Sequence, residues 1–251
     1  INAADYGFPQ RRRRVFIVAR RADLVESRDG VSLLRRDGVL ARAFPVVQTA
    51  DERLFDGVHA PDLRLSGDLV TLTDTFGCAG KNSPFRDGGV MVDRTVWTRP
   101  MQPEHGGPWR LLGDIVVDED EVPPEYFIPE EELEAWRYLK GAKREKRVHK
   151  ASGAPYQYNE GLLPFPDPLD RPARTVLTAE GGRSPSRFKH VVETPSGRYR
   201  RLTPVELERL NGFPDGWTEG MTPTKRAFCM GNALVVGLVE RVGRVLAEEL
   251  A

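Results

Sequence analysis

Cysteine is almost missing from these 251 residues: Cys78 and Cys229 are the two, and their placement gives neither a disulfide framework nor metal-ligand spacing. Also missing is any apolar run near the roughly 18 residues that a membrane-crossing helix needs. No basic-then-apolar signal segment opens the chain, so the cytoplasm is the expected address. Net charge is absent as well, with 37 Lys and Arg against 37 Asp and Glu. Neutrality by itself argues weakly against a nucleic-acid partner, although the distribution of charge matters more than its sum. There is no internal repeat and no low-complexity tract. What is present, 39% hydrophobic and 29% charged residues, excludes wholesale disorder and fits one large domain or two modest ones with a real core. The first residue is Ile1, not methionine, and it leads at once into a turn; a chain cut inside a domain is expected.

The turn is Asp5-Tyr6-Gly7-Phe8-Pro9, followed by Arg11, Arg12, Arg13 and Arg14 and the apolar run Val15-Phe16-Ile17-Val18-Ala19. That run is short, β-branched and aromatic, which predicts a strand buried on both faces. From about Asp51 to Gly113, Gly, Pro, Asp and Thr predominate around short apolar stretches such as Val90-Met91-Val92, a pattern of loops and short strands. A helix is predicted next, with Pro129 and Glu130 to Glu132 at its start, Leu133, Trp136 and Leu139 on its apolar face and Gly141 just past its end. Thr203-Pro204-Val205-Glu206 reads as a capping box that starts a helix running to Gly212. A last helix is predicted from about Ala233 to Leu250, with Leu238, Val242, Val245 and Leu246 at helical spacing.

Four stretches could carry chemistry. The arginines after Gln10 are a solvated basic turn or, held at the head of a strand, planar donors for a phosphate or a base carbonyl; strand alternation would send Arg12 and Arg14 one way and Arg11 and Arg13 the other. Arg171-Pro172-Ala173-Arg174-Thr175-Val176 suggests a short strand, and Gly181-Gly182 with Arg187 and Lys189 beyond it is an ordinary hairpin or a cradle for a phosphate backbone. Gly231-Asn232-Ala233 reads as the entry to the last helix, with Asn232 as its N-cap or with small residues admitting a ligand. After the acidic stretch Asp118 to Glu121 the chain turns basic at Lys140, Lys143, Arg144, Lys146, Arg147 and Lys150, either a solvated helix end or a positive face for DNA. Tyr156 and Tyr158 follow at strand spacing, in the core or against DNA, and the small polar loop Cys78-Ala79-Gly80-Lys81-Asn82-Ser83 could approach a groove.

In order, Asn2-Ala3-Ala4-Asp5-Tyr6-Gly7-Phe8-Pro9-Gln10 with Arg12 and Arg14, Arg171-Pro172 with Thr175-Val176, Arg201-Leu202-Thr203-Pro204, Asn211-Gly212-Phe213-Pro214 and Gly231-Asn232-Ala233 resemble the DNA cytosine-5 methyltransferase family. They correspond to its motifs VIII, IX and X, with the variable target-recognition region between VIII and IX. The resemblance implies an α/β fold: the C-terminal part of a Rossmann-like methyltransferase domain dependent on S-adenosylmethionine, with an inserted, mostly β target-recognition domain. Residues 1–65 would then be catalytic-domain strands, 66–200 the recognition domain and 201–251 closing helices.

The resemblance also implies roles. Gln10, Arg12 and Arg14 would line the pocket of a flipped cytosine, Arg14 holding its carbonyl oxygen and Arg12 supporting the pocket or the DNA backbone. Arg171 and Thr175 would organise the recognition domain. Gly231, Asn232 and Ala233 would lie near the methyl donor. Arg171, Thr175, Arg187, Lys189, Lys143, Arg144, Lys146 and Arg147 would meet double-stranded DNA. In the family a cysteine thiolate adds at C6 of cytosine, a glutamate acts at N3, and C5 then takes the methyl group.

The chain departs from the family in one respect: neither Cys78 (Phe-Gly-Cys-Ala-Gly) nor Cys229 (Phe-Cys-Met-Gly) has a Pro-Cys setting, and no Glu-Asn-Val or Phe-x-Gly-x-Gly segment is present. Those pieces are expected before Ile1, on a missing N-terminal segment or a separate catalytic subunit, and the donor is expected to be bound mainly there. Cys229 is then a small core residue. Three readings follow: part of a single-chain bacterial enzyme with a companion restriction endonuclease, a separately encoded specificity subunit of a split enzyme, or a relic that only binds DNA.

Overall fold

Residues 1–21, 23, 25, 29–47, 63–75 and 85–251 are described by a computed structural model. They form two compact units, one of Ile1, residues 14–107 and 238–251, the other of residues 2–13 and 108–237. Among the described residues no helix is long and apolar enough to cross a membrane. The loop from Cys78 to Ser83 lies outside the described residues.

In the first unit, the Asp29 carboxylate accepts from the Val31 N–H and so caps α1 (Gly30–Ser32). A π turn (Leu33–Asp37) leads to α2 (Val39–Ala43). Then come β1 (Leu63–Arg64), α3 (Leu69–Thr75), β2 (Gly88–Val92) and β3 (Thr95–Arg99), the strands forming an antiparallel sheet in the order β1-β3-β2. Val31, Val39, Ala43, Phe44 and Val96 are buried within this unit.

The run Val15 to Ala19 departs from its expectation. It joins no ladder among the described residues, and Val15 and Ile17 are 86% and 88% exposed. Phe16 and Val18 are half-buried, Phe16 packing on Phe44 with ring centres 5.5 Å apart. The period-2 alternation of a strand is therefore kept, but only one side is covered.

In the second unit a turn of 3-10 helix, Glu130–Glu132, runs into α4 (Leu133–Lys140), which buries Trp136 and Lys140. Gly141 ends α4 as expected, though with extended rather than left-handed backbone. Next is an antiparallel hairpin, β4 (Lys143–Val148) with β5 (Pro155–Glu160). The basic stretch is thus a strand and not the end of a helix, because its residues find partners in the Tyr156-x-Tyr158 segment. A smaller antiparallel pair follows, β6 (Val191–Glu193) with β7 (Tyr199–Arg201).

The capping box stands as read. Thr203 Oγ1 accepts from Glu206 N–H, Glu206 Oε2 accepts from Thr203 N–H, and Pro204 opens α5 (Pro204–Asn211). Gly212 closes α5 in the left-handed region at φ 77°. Leu207 and Leu210 of α5 enter a core with Leu112, Ile115, Val176 and Val192, each large aliphatic side chain stabilising by about 1.5–3 kcal/mol.

One helix was not expected. α6 (Pro223–Asn232) starts at Thr222, whose hydroxyl accepts from Lys225 N–H, with Pro223 in its first turn. The expected helix entry at Gly231-Asn232 is corrected accordingly: Asn232 is the last residue of α6, and its amide donates back to the Phe228 carbonyl. The last helix, α7 (Val236–Leu250), begins three residues later than expected and buries Leu238 and Val245. Among the described residues helices are mixed with small antiparallel sheets, an arrangement compatible with the α/β expectation.

Candidate nucleic-acid interface

Gln10 and Arg12 stand at the centre of the second unit, both fully buried. The Gln10 amide oxygen accepts from Val176 N–H (3.1 Å), and its NH2 donates to the Leu210 carbonyl and to Asn211 Oδ1 (2.9 Å each). Arg12, 1% exposed, donates from Nη1 to the Val176 carbonyl and from Nη2 to the Gly231 carbonyl, each at 2.8 Å. Asn211 in turn donates to the Leu207 and Met230 carbonyls. Three segments far apart in sequence, around residues 10–12, 173–178 and 210–231, are thereby tied into one piece. Charge-assisted donors in a place without water make such ties strong.

Glycine is required at one point of this junction. A Cβ on Gly231 would lie 2.2 Å from the Thr178 amide nitrogen, so only the hydrogen side chain lets α6 meet the 177–178 backbone. Beside it, the Arg11 N–H donates to the Ala173 carbonyl, Ala173 N–H donates to the Pro9 carbonyl, and the Thr175 hydroxyl donates to the Arg11 carbonyl. No strand forms at Thr175-Val176, since Gln10 and Arg12 satisfy that backbone instead.

Alternation along the arginines shows in their burial: Arg12 is buried, Arg11 and Arg13 are exposed, and Arg14 is half-exposed. Arg14 belongs to the first unit, where its amide donates to the Ile1 carbonyl at 2.8 Å. Arg171 is exposed and pairs with Asp170, while its carbonyl accepts from Leu112 N–H.

Arg174, given no role of its own in the sequence, anchors a buried network. It reaches both oxygens of Asp167, and Lys140 Nζ lies 3.1 Å from the same carboxylate. Burial alone would raise the Asp167 carboxyl, but the bonds from Arg174 and the charges of His190, Lys140 and Arg174 outweigh it and hold the group at about 2. His190, also buried, sits with Nδ1 2.6 Å from Glu180. A depressed carboxyl stabilises the fold above its unfolded value and loses that stabilisation as pH falls through its folded one. Asp167 should therefore contribute about 2 kcal/mol at neutral pH, disappearing between about pH 4 and pH 2. Urea midpoints at pH 6 and pH 3 measure this: the fall should be smaller in Asp167→Asn, and an equal fall in both proteins would detach Asp167 from the effect.

Arg187 and Lys189, beyond the Gly pair, turn toward the protein. Lys189 is buried and donates to the Gly182 and Ser184 carbonyls, which shapes the loop itself. Arg187 donates to the Gly161 carbonyl at 2.7 Å and lies 2.9 Å from Glu160. Lys143 also reaches Glu160 (3.0 Å) and the Leu139 carbonyl, so Arg187 and Lys143 brace the root of the β4–β5 hairpin. Arg147 pairs with Glu145 and lies 3.5 Å over the Tyr158 ring. Among the described residues, the side chains of Arg144 and Lys146 make no ion pair or hydrogen bond and are exposed. Asn232 is exposed at the C-terminal end of α6, and Ala233 and Cys229 pack partly buried against the core.

The C-5 cytosine-specific DNA methylase family matches residues 1–248. The Type II methyltransferase M.Sau3AI of Staphylococcus aureus is 38% identical over 248 residues, 97% of this chain and 56% of that protein. The chain thus spans little more than half the length of the relative it matches. With a family match from the first residue to near the last and a relative 38% identical over 97% of this chain, the chain belongs to the C-5 cytosine-specific DNA methylase family.

Proposed function

We propose that this chain is the DNA-recognising portion of a cytosine-5 methyltransferase of a restriction-modification system, one that moves a methyl group from S-adenosylmethionine to C5 of a cytosine everted from duplex DNA. The observation that carries the reading is the junction of Gln10 and Arg12 with the carbonyls and amides of residues 176, 210 and 231, which join the segments that resemble motifs VIII, IX and X. Support also comes from the family match and from a relative described as a Type II methyltransferase.

Under this reading Arg14 is the donor that meets the carbonyl oxygen of the everted cytosine, steadying negative charge as it builds in the ring. Gln10 and Arg12 are positioning residues that hold the backbone at 176, 210 and 231 together within their own unit. Residues 1–65 and 201–251 would belong to a Rossmann-like catalytic domain, and 66–200 to the recognition domain. Double-stranded DNA is the substrate.

S-adenosylmethionine supplies the methyl group. The residues present fit it: the C-terminal end of α6 carries a negative partial charge that suits a cationic donor, and Asn232 there is exposed with its amide NH2 turned back to Phe228. Asn232 and Ala233 would hold one side of the donor, and Gly231 would keep the end of α6 close to residues 177–178. The attacking thiolate would come from polypeptide beyond these 251 residues, since neither Cys78 nor Cys229 sits in a Pro-Cys loop.

The test is transfer of radiolabelled methyl groups to mixed-sequence plasmid DNA. The chain alone should transfer none, and the chain combined with the polypeptide that bears the Pro-Cys loop should methylate cytosine. Methylation by the chain alone would overturn the division of labour, and an inert combination would overturn the proposed function.

A further inference from the structure

The β4–β5 hairpin has two unlike faces. Its register pairs Lys143 with Glu160, Glu145 with Tyr158 and Arg147 with Tyr156 on one face, and Arg144 with Asn159, Lys146 with Gln157 and Val148 with Pro155 on the other. On the first face every charge has an opposite partner: Lys143 meets Glu160, Arg147 meets Glu145 and lies over Tyr158, and His149 beyond the strand stacks on Tyr156 at 4.2 Å. The second face carries two cations and no acid. All six of its residues are exposed, and so is the tip from His149 to Ala154, which adds Lys150.

Resting on the proposed function, we infer that this hairpin is a ribbon for the major groove, and that Arg144, Lys146, Gln157 and Asn159 read base edges there. The dimensions suit it. Two strands about 4.8 Å apart, with side chains standing off one face, enter a groove about 12 Å wide that admits a two-stranded ribbon. Each strand is six residues, about 20 Å.

The chemistry suits it as well. Arg and Lys donate to guanine O6 and N7, and the Asn or Gln amide accepts from the adenine N6 amino group and donates to N7. The cross-strand pairs set one cation beside one amide twice over: Arg144 opposite Asn159, and Lys146 opposite Gln157. A face built to dock a protein would instead carry aromatic or large aliphatic anchors at its centre; here the apolar pair, Val148 and Pro155, lies at the tip end.

The ribbon's aim is fixed before DNA arrives. Arg187 binds the Gly161 carbonyl and Glu160, Lys143 binds Glu160 and the Leu139 carbonyl, and Leu163 N–H donates to the Lys140 carbonyl at 2.9 Å. These ties hold the hairpin root to α4, which is itself seated by the buried Trp136. A braced root means little ordering entropy is lost on binding.

The experiment is binding selection from short duplexes randomised over their central ten or so base pairs, followed by sequencing, with the chain combined with its catalytic polypeptide. The proteins compared are wild type, Arg144→Ala, Asn159→Ala and Lys150→Ala. Wild type should enrich a defined sequence. Arg144→Ala and Asn159→Ala should each lose about tenfold to a hundredfold affinity for it, with preference relaxed at one base pair and the rest retained. Lys150→Ala should weaken all duplexes alike and lower the salt dependence of binding. An unchanged preference in both Arg144→Ala and Asn159→Ala would overturn the ribbon while leaving the methyltransferase reading in place. Failure of wild type to retain any duplex would overturn the reading on which the ribbon rests.

Discussion

Under the proposed function, replacing Arg14 with alanine is expected to cut methyl transfer by the chain combined with its catalytic polypeptide about a hundredfold to a thousandfold while leaving duplex affinity within about twofold. Removing a donor aimed at charge that develops in the ring raises the barrier to reaction, whereas duplex affinity comes mainly from phosphate contacts elsewhere. The neighbouring Arg12→Ala should behave in the opposite way. Arg12 is buried and binds the Val176 and Gly231 carbonyls; each buried carbonyl left without a donor costs about 1–3 kcal/mol. Its loss should appear first in thermal unfolding, with activity falling because the protein unfolds. Initial rates and melting curves for the two variants separate the roles. Wild-type turnover by Arg14→Ala would remove Arg14 from the cytosine pocket, and an unchanged melting temperature in Arg12→Ala would remove Arg12 from the junction.

The largest stability effect is expected at Glu206. Its carboxylate, fully buried, accepts from Val117 N–H, from Thr203 N–H and twice from Arg200. Glu206→Ala leaves the Arg200 guanidinium buried without its counter-charge, at a cost of about 3–5 kcal/mol. Replacing both partners together, Arg200→Met with Glu206→Leu, should recover a substantial part of that loss, because a buried ion pair and a packed apolar pair of similar volume are near equal in stability. Urea unfolding followed by tryptophan fluorescence reports both, since Trp136 is buried in the same unit. A cost below about 1 kcal/mol for Glu206→Ala would show that Arg200 finds other support.

Features set by neighbours in sequence were readable before any coordinates. Thr203-Pro204-Val205-Glu206 specifies its cap through contacts three residues apart, and Gly212 ends α5 where a left-handed residue is needed. The same Thr-Pro signal at Thr222-Pro223 begins α6, but its buried residues, Ala227, Met230 and Gly231, form no broad apolar stripe, so the helix went unread. Features set by distant partners were hidden. Arg187 reaches 26 residues back to the Gly161 carbonyl, and Arg12 reaches 219 forward to Gly231; neither distance leaves a local trace. Val15 to Val18 announces a wish for burial without naming what covers it; among the described residues Phe44 packs on Phe16. The basic stretch at 143–147 reads as strand only once its register with Tyr156 and Tyr158 is known.

The braced hairpin root has an evolutionary consequence. Lys143 and Arg187 grip it partly through main-chain carbonyls that any side chain would offer, those of Leu139 and Gly161, and the residues of its outward surface contribute nothing to the interior. Mutations at Arg144, Lys146, Gln157 or Asn159 are therefore nearly free of folding cost. Such positions can drift one at a time, and if the hairpin reads DNA as proposed, a lineage carrying this scaffold can explore new target sequences without first accumulating stabilising changes elsewhere.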